Sequence, residues 1–380
     1  MKRGIVLFLA LLMVVGALAG CAKGPKKGQL DVGIIFPTKD ESRWLADEAK
    51  FVELIEKNDY KAEIMYSQAN SATEKTNVES LISKGIKVLI ITPFDVEAAG
   101  STIEEAKKEG VHIISYDRLI TNSDAVDYYI SFDSIKIGES MGQYLVDRAK
   151  KDGGSGLNLY LYSGALTDNN SFDYFQGYWN ALQPYIADGT FVVRNSAAAM
   201  KYKDKLDLAH DELYEIMQSV DTEWDMEVSK TLAEAHLTAA SPEEKEVSFI
   251  IAPDDDTCRA IADTFAADSD VKSFWIAGAD GVEASVQYMI DGMQDMTVYC
   301  DPVVISKVAM DLAYDLIDGK QPEGDVMTDN GKIEVKTLQS DVTTVTRDNM
   351  EEIFFNNGVY NKDDYKNWEG MSDDVKAIYK

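Results

Sequence analysis

At 380 residues the chain exceeds what one ordinary core supports, and its 45% apolar composition is that of a globular protein of about two domains. With 66 acidic against 37 basic residues its formal charge is -29, so its surface repels phosphate backbones and nucleic acid is not expected as a partner. The cysteines are too few for a disulfide scaffold; beyond Cys21, only Cys258 and Cys300 could pair.

The amino terminus differs in kind from the rest. Met1-Lys2-Arg3 supplies positive charge, Ile5 to Val15 an apolar stretch shorter than the ~20 residues a bilayer core requires, and Leu18-Ala19-Gly20 a small-residue cleavage site. Residues 1–20 are therefore expected to be an export signal. Leu18-Ala19-Gly20-Cys21 resembles the lipobox of bacterial lipoproteins, which implies that Cys21 is lipidated and anchors the chain to a membrane. Residues 21–29, the cysteine followed by Gly, Pro and Lys without apolar periodicity, are expected to form a flexible linker.

From Leu30 onward apolar runs alternate with helical patterns. Strands are expected at Leu30-Phe36, Ala62-Tyr66, Val88-Ile91, Val111-Ser115 and Asp127-Ser131, with helices over 43–57, 72–84, 96–109 and 134–151. The rhythm then restarts, with strands at Leu157-Tyr162, Phe191-Arg194, Val247-Ala252, Phe274-Gly278 and Met296-Tyr299 and helices near 171–184, 223–238, 256–266, 282–290 and 302–318. Such alternation means an α/β fold of two parallel sheets, each covered on both faces and wound with right-handed crossovers. Residues 196–220 carry helical spacing where only a short loop is needed, and are expected to be an inserted helix packed on the second domain. Near the end, Ile333-Leu338 reads as a strand and 347–356 as a helix, and 361–380 as a polar tail.

Signatures of catalysis are missing from the sequence. His112, His210 and His236 lie far apart, with no His-Glu-x-x-His and no zinc-type cysteine spacing. Gly153-Gly154-Ser155-Gly156 precedes a strand, whereas a phosphate cradle follows one, and it lacks the second glycine of a nucleophile elbow. Asp254-Asp255-Asp256 could hold calcium, but carboxylates at a strand end more often cap a helix or accept from hydroxyls. Neither an enzyme, nor a cofactor, nor a metal is expected.

What remains is a set of polar strand ends. Val111-Ser115 stops abruptly at Asp117-Arg118, a pair that either fastens a loop internally or forms a polar clamp where parallel sheets bind ligands. Arg43 and Trp44 follow the first strand, Asp168-Asn169-Asn170 the sixth, and Asp254 and Asp280 two later ones. Sugar hydroxyls require converging donors and acceptors, and the C-H face of the ring requires an aromatic plane, for which Trp44 and Trp224 are candidates if they are not simply core.

These residues, together with Ser67-Gln-Ala-Asn70, Val88-Leu-Ile-Ile-Thr-Pro93, Ser115-Tyr-Asp-Arg-Leu-Ile120, Tyr129-Ile-Ser-Phe-Asp133 and Asp329-Asn-Gly331, resemble the type I periplasmic sugar-binding proteins of ABC importers, in the xylose-binding and multiple-sugar-binding branch. The resemblance implies that Arg43, Trp44, Asp117, Arg118, Asp168, Asn170, Trp224, Asp254, Asp280 and Cys300 line a sugar cleft. It departs from the xylose branch at Asp254, where that branch has asparagine, and at Cys300, where it has lysine. The implied architecture is two lobes, 30–133 with 301–333 and 134–300 with 334–360, joined by three crossings near Asp133-Ser134, Cys300-Asp301 and Ile333-Leu338. The implied protein is a monomer that closes on a monosaccharide and presents it to an ABC permease. The alternative is a sensor of the same fold that presents a sugar or furanosyl signal to a histidine kinase or chemoreceptor.

Overall fold

The computed structural model describes residues 30–367. The expected export signal 1–20, the lipid site Cys21 with its linker to residue 29, and the tail from 368 to 380 lie outside the described residues. The apolar runs form two sheets. The first contains Val32–Phe36 (β1), Ala62–Tyr66 (β2), Val88–Ile91 (β3), His112–Tyr116 (β4) and Tyr128–Phe132 (β5). The second contains Leu157–Leu161 (β6), Phe191–Val193 (β7), Val247–Ile251 (β8), Ser273–Asp280 (β9) and Met296–Tyr299 (β10). Late in the chain Val326–Asp329 (β11) and Glu334–Ser340 (β12) return to the first sheet and Thr343–Thr346 (β13) joins the second.

The spatial orders are β11-β12-β5-β4-β3-β1-β2 and β13-β10-β9-β8-β6-β7, parallel throughout except for the antiparallel edge strands β11 and β13. Parallel neighbours need crossover helices, and these cover both faces. That is why β1 and β3 read as unbroken apolar runs and are buried along their whole length. In the first lobe the helices are Ser42–Glu56 (α1), Ser71–Ser83 (α2) and Ala99–Lys108 (α3); in the second, Ser134–Asp152 (α4), Asn169–Ala187 (α5), Ala197–Lys201 (α6), His210–Met217 (α7), Met226–Ala239 (α8), Asp255–Ala267 (α9) and Glu283–Asp291 (α10). Pro302–Ile317 (α11) packs back on α1 and on β3, β4 and β5.

Three expectations need correction. The strand at Ile333-Leu338 does not belong to the second lobe: β12 pairs in parallel with β5, Lys336 opposite Tyr128 and Ser340 opposite Phe132. The third crossing therefore falls at Asp341-Val342, after the strand rather than within it, and the first lobe extends past residue 333. The single helix expected over 196–220 is two short ones, α6 and α7. Side chains of α5 hold the loop between them, Trp179 Nε1 donating to the Lys205 carbonyl (2.9 Å) and Gln183 Nε2 to that of Lys203 (2.7 Å). The helix expected over 347–356 shrinks to one wide π-type turn, Glu351–Asn356. Cys258 and Cys300 are both buried and unbridged.

Helices α4 and α5 cross with almost no space between their backbones, because glycines sit at the contact. A Cβ on Gly138 would lie 2.0 Å from the Tyr174 carbonyl oxygen, and one on Gly177 would lie 2.2 Å from that of Ile135. The crossing fixes the start of α5 against α4, where Ser134 Oγ donates to Asn170 Oδ1 at 2.9 Å. Overpacking of this kind costs about 1–3 kcal/mol. Gly177→Ala is therefore expected to lower the midpoint of thermal unfolding by roughly 3 °C; an unchanged melt would show that the helices separate freely.

Candidate ligand-binding site

The carboxyl ends of both sheets face one another, and the loops that leave them meet in a cleft. At the end of β4 the backbone turns left-handed at Asp117 (φ 65°), a conformation uncommon for a residue with a side chain. It is held in place several times over. The Asp117 carbonyl accepts from Tyr129 Oη (2.8 Å), Ser131 Oγ (3.0 Å) and Asn170 Nδ2 (3.0 Å), and its N-H donates to the Ile130 carbonyl (2.7 Å). Next to it, Ser115 Oγ donates to the Arg118 carbonyl at 2.6 Å, and Asn330, in the turn between β11 and β12, donates to the carbonyls of Ile120 and Ser123. Strain fixed this firmly from several elements belongs to a site that must keep its shape.

The two arginines of the first lobe reach across to the second. Arg43, on the first turn of α1, binds Asp47 Oδ2 (2.5 Å) and Asp117 Oδ2 (3.1 Å), and its Nη1 lies 3.5 Å from Asp280 Oδ1 at the end of β9. Arg118 Nε lies 2.8 Å from Asp168 Oδ2 of the second lobe, while its Nη2 lies 3.3 Å from Glu41 Oε2. Both guanidiniums also pack against the ring of Trp44, their carbons 5.3 and 5.4 Å from its centroid.

From the second lobe, Asp168 caps α5, accepting from Asn170 N at 2.9 Å, and takes a further bond from Trp224 Nε1 at 3.1 Å. Asp254 caps α9 through Thr257 N at 2.8 Å. Trp224 is itself left-handed (φ 59°) and stands edge-on to Tyr174, 6.1 Å between ring centroids. A Cβ on Gly164 would lie 2.1 Å from the Trp224 ring. Gly164→Ala is therefore expected to push this indole out of place and weaken ligand binding about tenfold, as read by titration, with every cavity-lining residue left unsubstituted. Full affinity in that variant would mean that Trp224 does not shape the site.

These groups line a single cavity with Glu41, Arg43, Trp44, Asp117 and Arg118 of the first lobe along one wall and Asp168, Asn170, Tyr174, Trp224, Asp254 and Asp280 of the second along the other. About 340 Å³ among these residues is free of protein atoms, space open to solvent included. Further bonds seal the edge between the lobes: Ser42 N to Asp256 Oδ2 (2.7 Å), Leu119 N to Asn169 Oδ1 (2.7 Å) and Val96 N to the Thr167 carbonyl (3.1 Å). Burial pushes the carboxyls of Glu41 and Asp280 up to about 7, against the pull of Arg118 and Arg43 respectively. Asp254 is raised well above the usual carboxylate range by burial first and then by Asp256 and Asp280.

Nine of the ten residues singled out from the sequence thus line the cavity; Cys300 lies behind its wall, its N-H donating to the Asp280 carbonyl at 3.3 Å. It is fully buried, with its Sγ directed at the Val298 carbonyl oxygen (3.7 Å), and it packs in the core beside Val298. Two lining residues escaped the sequence reading. Glu41, the residue that precedes α1, lies two positions before Arg43, and Tyr174 lies one helical turn after Asn170 on α5, so either could have been found by following the spacing outward from a recognised neighbour. Among the described residues no group of His, Cys, Asp or Glu is arranged to hold a metal, and no helix is long and apolar enough to cross a membrane.

Two facing parallel-sheet lobes with a polar cavity at their strand ends define a binding protein of the two-lobed type. Residues 32–321 match the family described as periplasmic binding protein domain, and the chain belongs to that family. It is 30% identical, over 96% of its own length and 100% of the relative's, to the multiple sugar-binding periplasmic receptor of Rhizobium radiobacter. It is 26% identical, over 94% and 98%, to the D-xylose-binding periplasmic protein of Escherichia coli. Among solved structures, a carbohydrate transporter solute binding protein from Chloroflexus aurantiacus in complex with D-glucose is 50% identical, with a TM-score of 0.87 over 90% of this chain and 100% of that one. These relatives are solute-binding proteins, not enzymes.

Proposed function

We propose that this chain is an extracytoplasmic solute-binding protein that captures one monosaccharide, a glucose- or xylose-like aldose, by closing two lobes around it and delivers it to an ABC permease. One observation carries the proposal: Arg118–Asp168 and Arg43–Asp280 span the two lobes at the wall of the same cavity, between two indoles. Hydroxyls have both donors and acceptors to meet there, and the C-H face of a ring has Trp44 and Trp224. Because contacts from both lobes exist together only when the cleft is shut, the ligand favours the closed form by its differential affinity, and a permease can recognise that form. The names of the relatives support the same ligand class, since one is described with D-glucose bound and another as D-xylose-binding.

The proposal extends to the amino terminus: Cys21 carries the lipid that keeps a monomeric binding protein at the membrane. Cys21→Ser is expected to release the protein from the membrane fraction; retention there would rule out a lipid at this position. For the ligand, isothermal titration with a panel of aldoses including D-glucose and D-xylose is expected to show micromolar or tighter binding of at least one. Binding of none would overturn the proposal.

A further inference from the structure

The acidic groups lining the cavity outnumber its cations. Five carboxyl groups, those of Glu41, Asp117, Asp168, Asp254 and Asp280, share it with two guanidiniums. Both cations are already committed: Arg43 to Asp47, Asp117 and Asp280, and Arg118 to Asp168 and Glu41. Asp254 takes part in none of these pairs, and the guanidinium nearest to it in sequence, Arg259, is paired with Asp256 and bound to Ser285 Oγ at 2.7 Å.

Asp254 is also 5% exposed and lines the cavity. Its Oδ1 is occupied by the N-H and hydroxyl of Thr257, whereas its Oδ2 accepts no hydrogen bond from any described residue. The acidic neighbours that bear on it are Asp256 and Asp280. A neutral sugar can supply hydroxyl donors to that oxygen but no charge, so it leaves a buried carboxylate with only a distant share of Arg259, which Asp256 and Asp255 engage more strongly, or obliges it to hold a proton. A ligand ammonium supplies three donors and the missing positive charge at once.

We propose that the cleft takes an aminodeoxy aldose, bound as its ammonium ion with the amine against Asp254 and Asp280, in preference to the corresponding neutral aldose. The inference rests on the monosaccharide function proposed above and narrows it. It also requires the cavity to reject anionic sugars, because a ligand carboxylate would add to a site already short of cations.

The test is isothermal titration of the full chain at pH 7 with D-glucose, D-glucosamine, the isomer carrying its amine on the terminal carbon, and D-glucuronate. At least one of the two amines is expected to bind about tenfold or more tightly than D-glucose, with D-glucuronate weaker than both. Asp254→Asn keeps a good helix cap and is expected to shrink that ratio toward one. D-glucose binding as tightly as both amines would overturn the inference and leave the monosaccharide function standing. Failure of D-glucose and both amines would overturn the inference, and the monosaccharide function would fall with it only if the whole aldose panel, D-xylose included, fails to bind.

Discussion

Arg118→Met is expected to weaken monosaccharide binding by roughly three orders of magnitude. Arg118 is 3% exposed, and its guanidinium joins Glu41 of its own lobe to Asp168 of the other while lying against Trp44. Its removal leaves two buried carboxylates facing each other without a cation. Breaking one partner out of a buried pair costs about 3–5 kcal/mol, and each ~1.4 kcal/mol is tenfold in affinity. Methionine fills similar space, so packing on Trp44 survives and the loss reports on charge and hydrogen bonding. Arg118→Lys keeps the charge but cannot reach both carboxylates in the fork geometry, and should fall between the two. Titration calorimetry on the three proteins reads the series; equal affinity for all of them would remove Arg118 from the site.

The second large effect is on stability, which should fall as pH rises. Burial is the first cause that raises the carboxyls of Glu41, Glu74, Asp173 and Asp280 to about 7, and that of Asp255 to about 8, from ordinary values of 3.8 to 4.5. The folded protein therefore keeps protons that the unfolded chain has lost, and between pH 4 and pH 8 the native state binds more of them. Under that condition stability decreases with pH: the penalty is absent below the unfolded values, grows through the window and is complete above pH 8. A net effect of about 3 kcal/mol corresponds to a midpoint roughly 4 °C higher at pH 5 than at pH 8. General repulsion within a chain of formal charge -29 has the same sign, so Asp280→Asn serves as the control, because it should flatten part of the slope at almost unchanged net charge. A melting temperature that rises from pH 5 to pH 8 would contradict the account.

Much of this was written in the apolar runs. Each run that builds a central strand ends where the buried face ends, so Asp117-Arg118, Asp168-Asn170, Asp254 and Asp280 stood out as polar groups placed where a core would refuse them. What a run cannot say is which sheet it joins. Ile333-Leu338 is strand-like in either lobe, and only its pairing with β5 assigns it. The edge strands were less visible still: Val326–Asp329 is almost wholly exposed and Thr343–Thr346 has one buried residue, so neither shows the apolar signal of an interior strand. Cys300 backs the cavity wall rather than lining it, a placement missed because adjacency in sequence hides alternation in a strand. It shares the inward face of Val298, while Tyr299 between them points the other way and packs with Phe354. Gly164 carried no signal at all, since its role depends on an indole 60 residues away in the chain, for which there was no spacing rule to apply.

A crystal structure of the chain with D-glucose or D-glucosamine in the cleft tests the central claim most directly. It should show one sugar whose polar groups are bonded at the same time by Asp117 or Arg118 of the first lobe and by Asp168, Asn170, Asp254 or Asp280 of the second, with an indole against its C-H face. A ring held by one lobe alone, or seated outside the cavity these residues enclose, would contradict it.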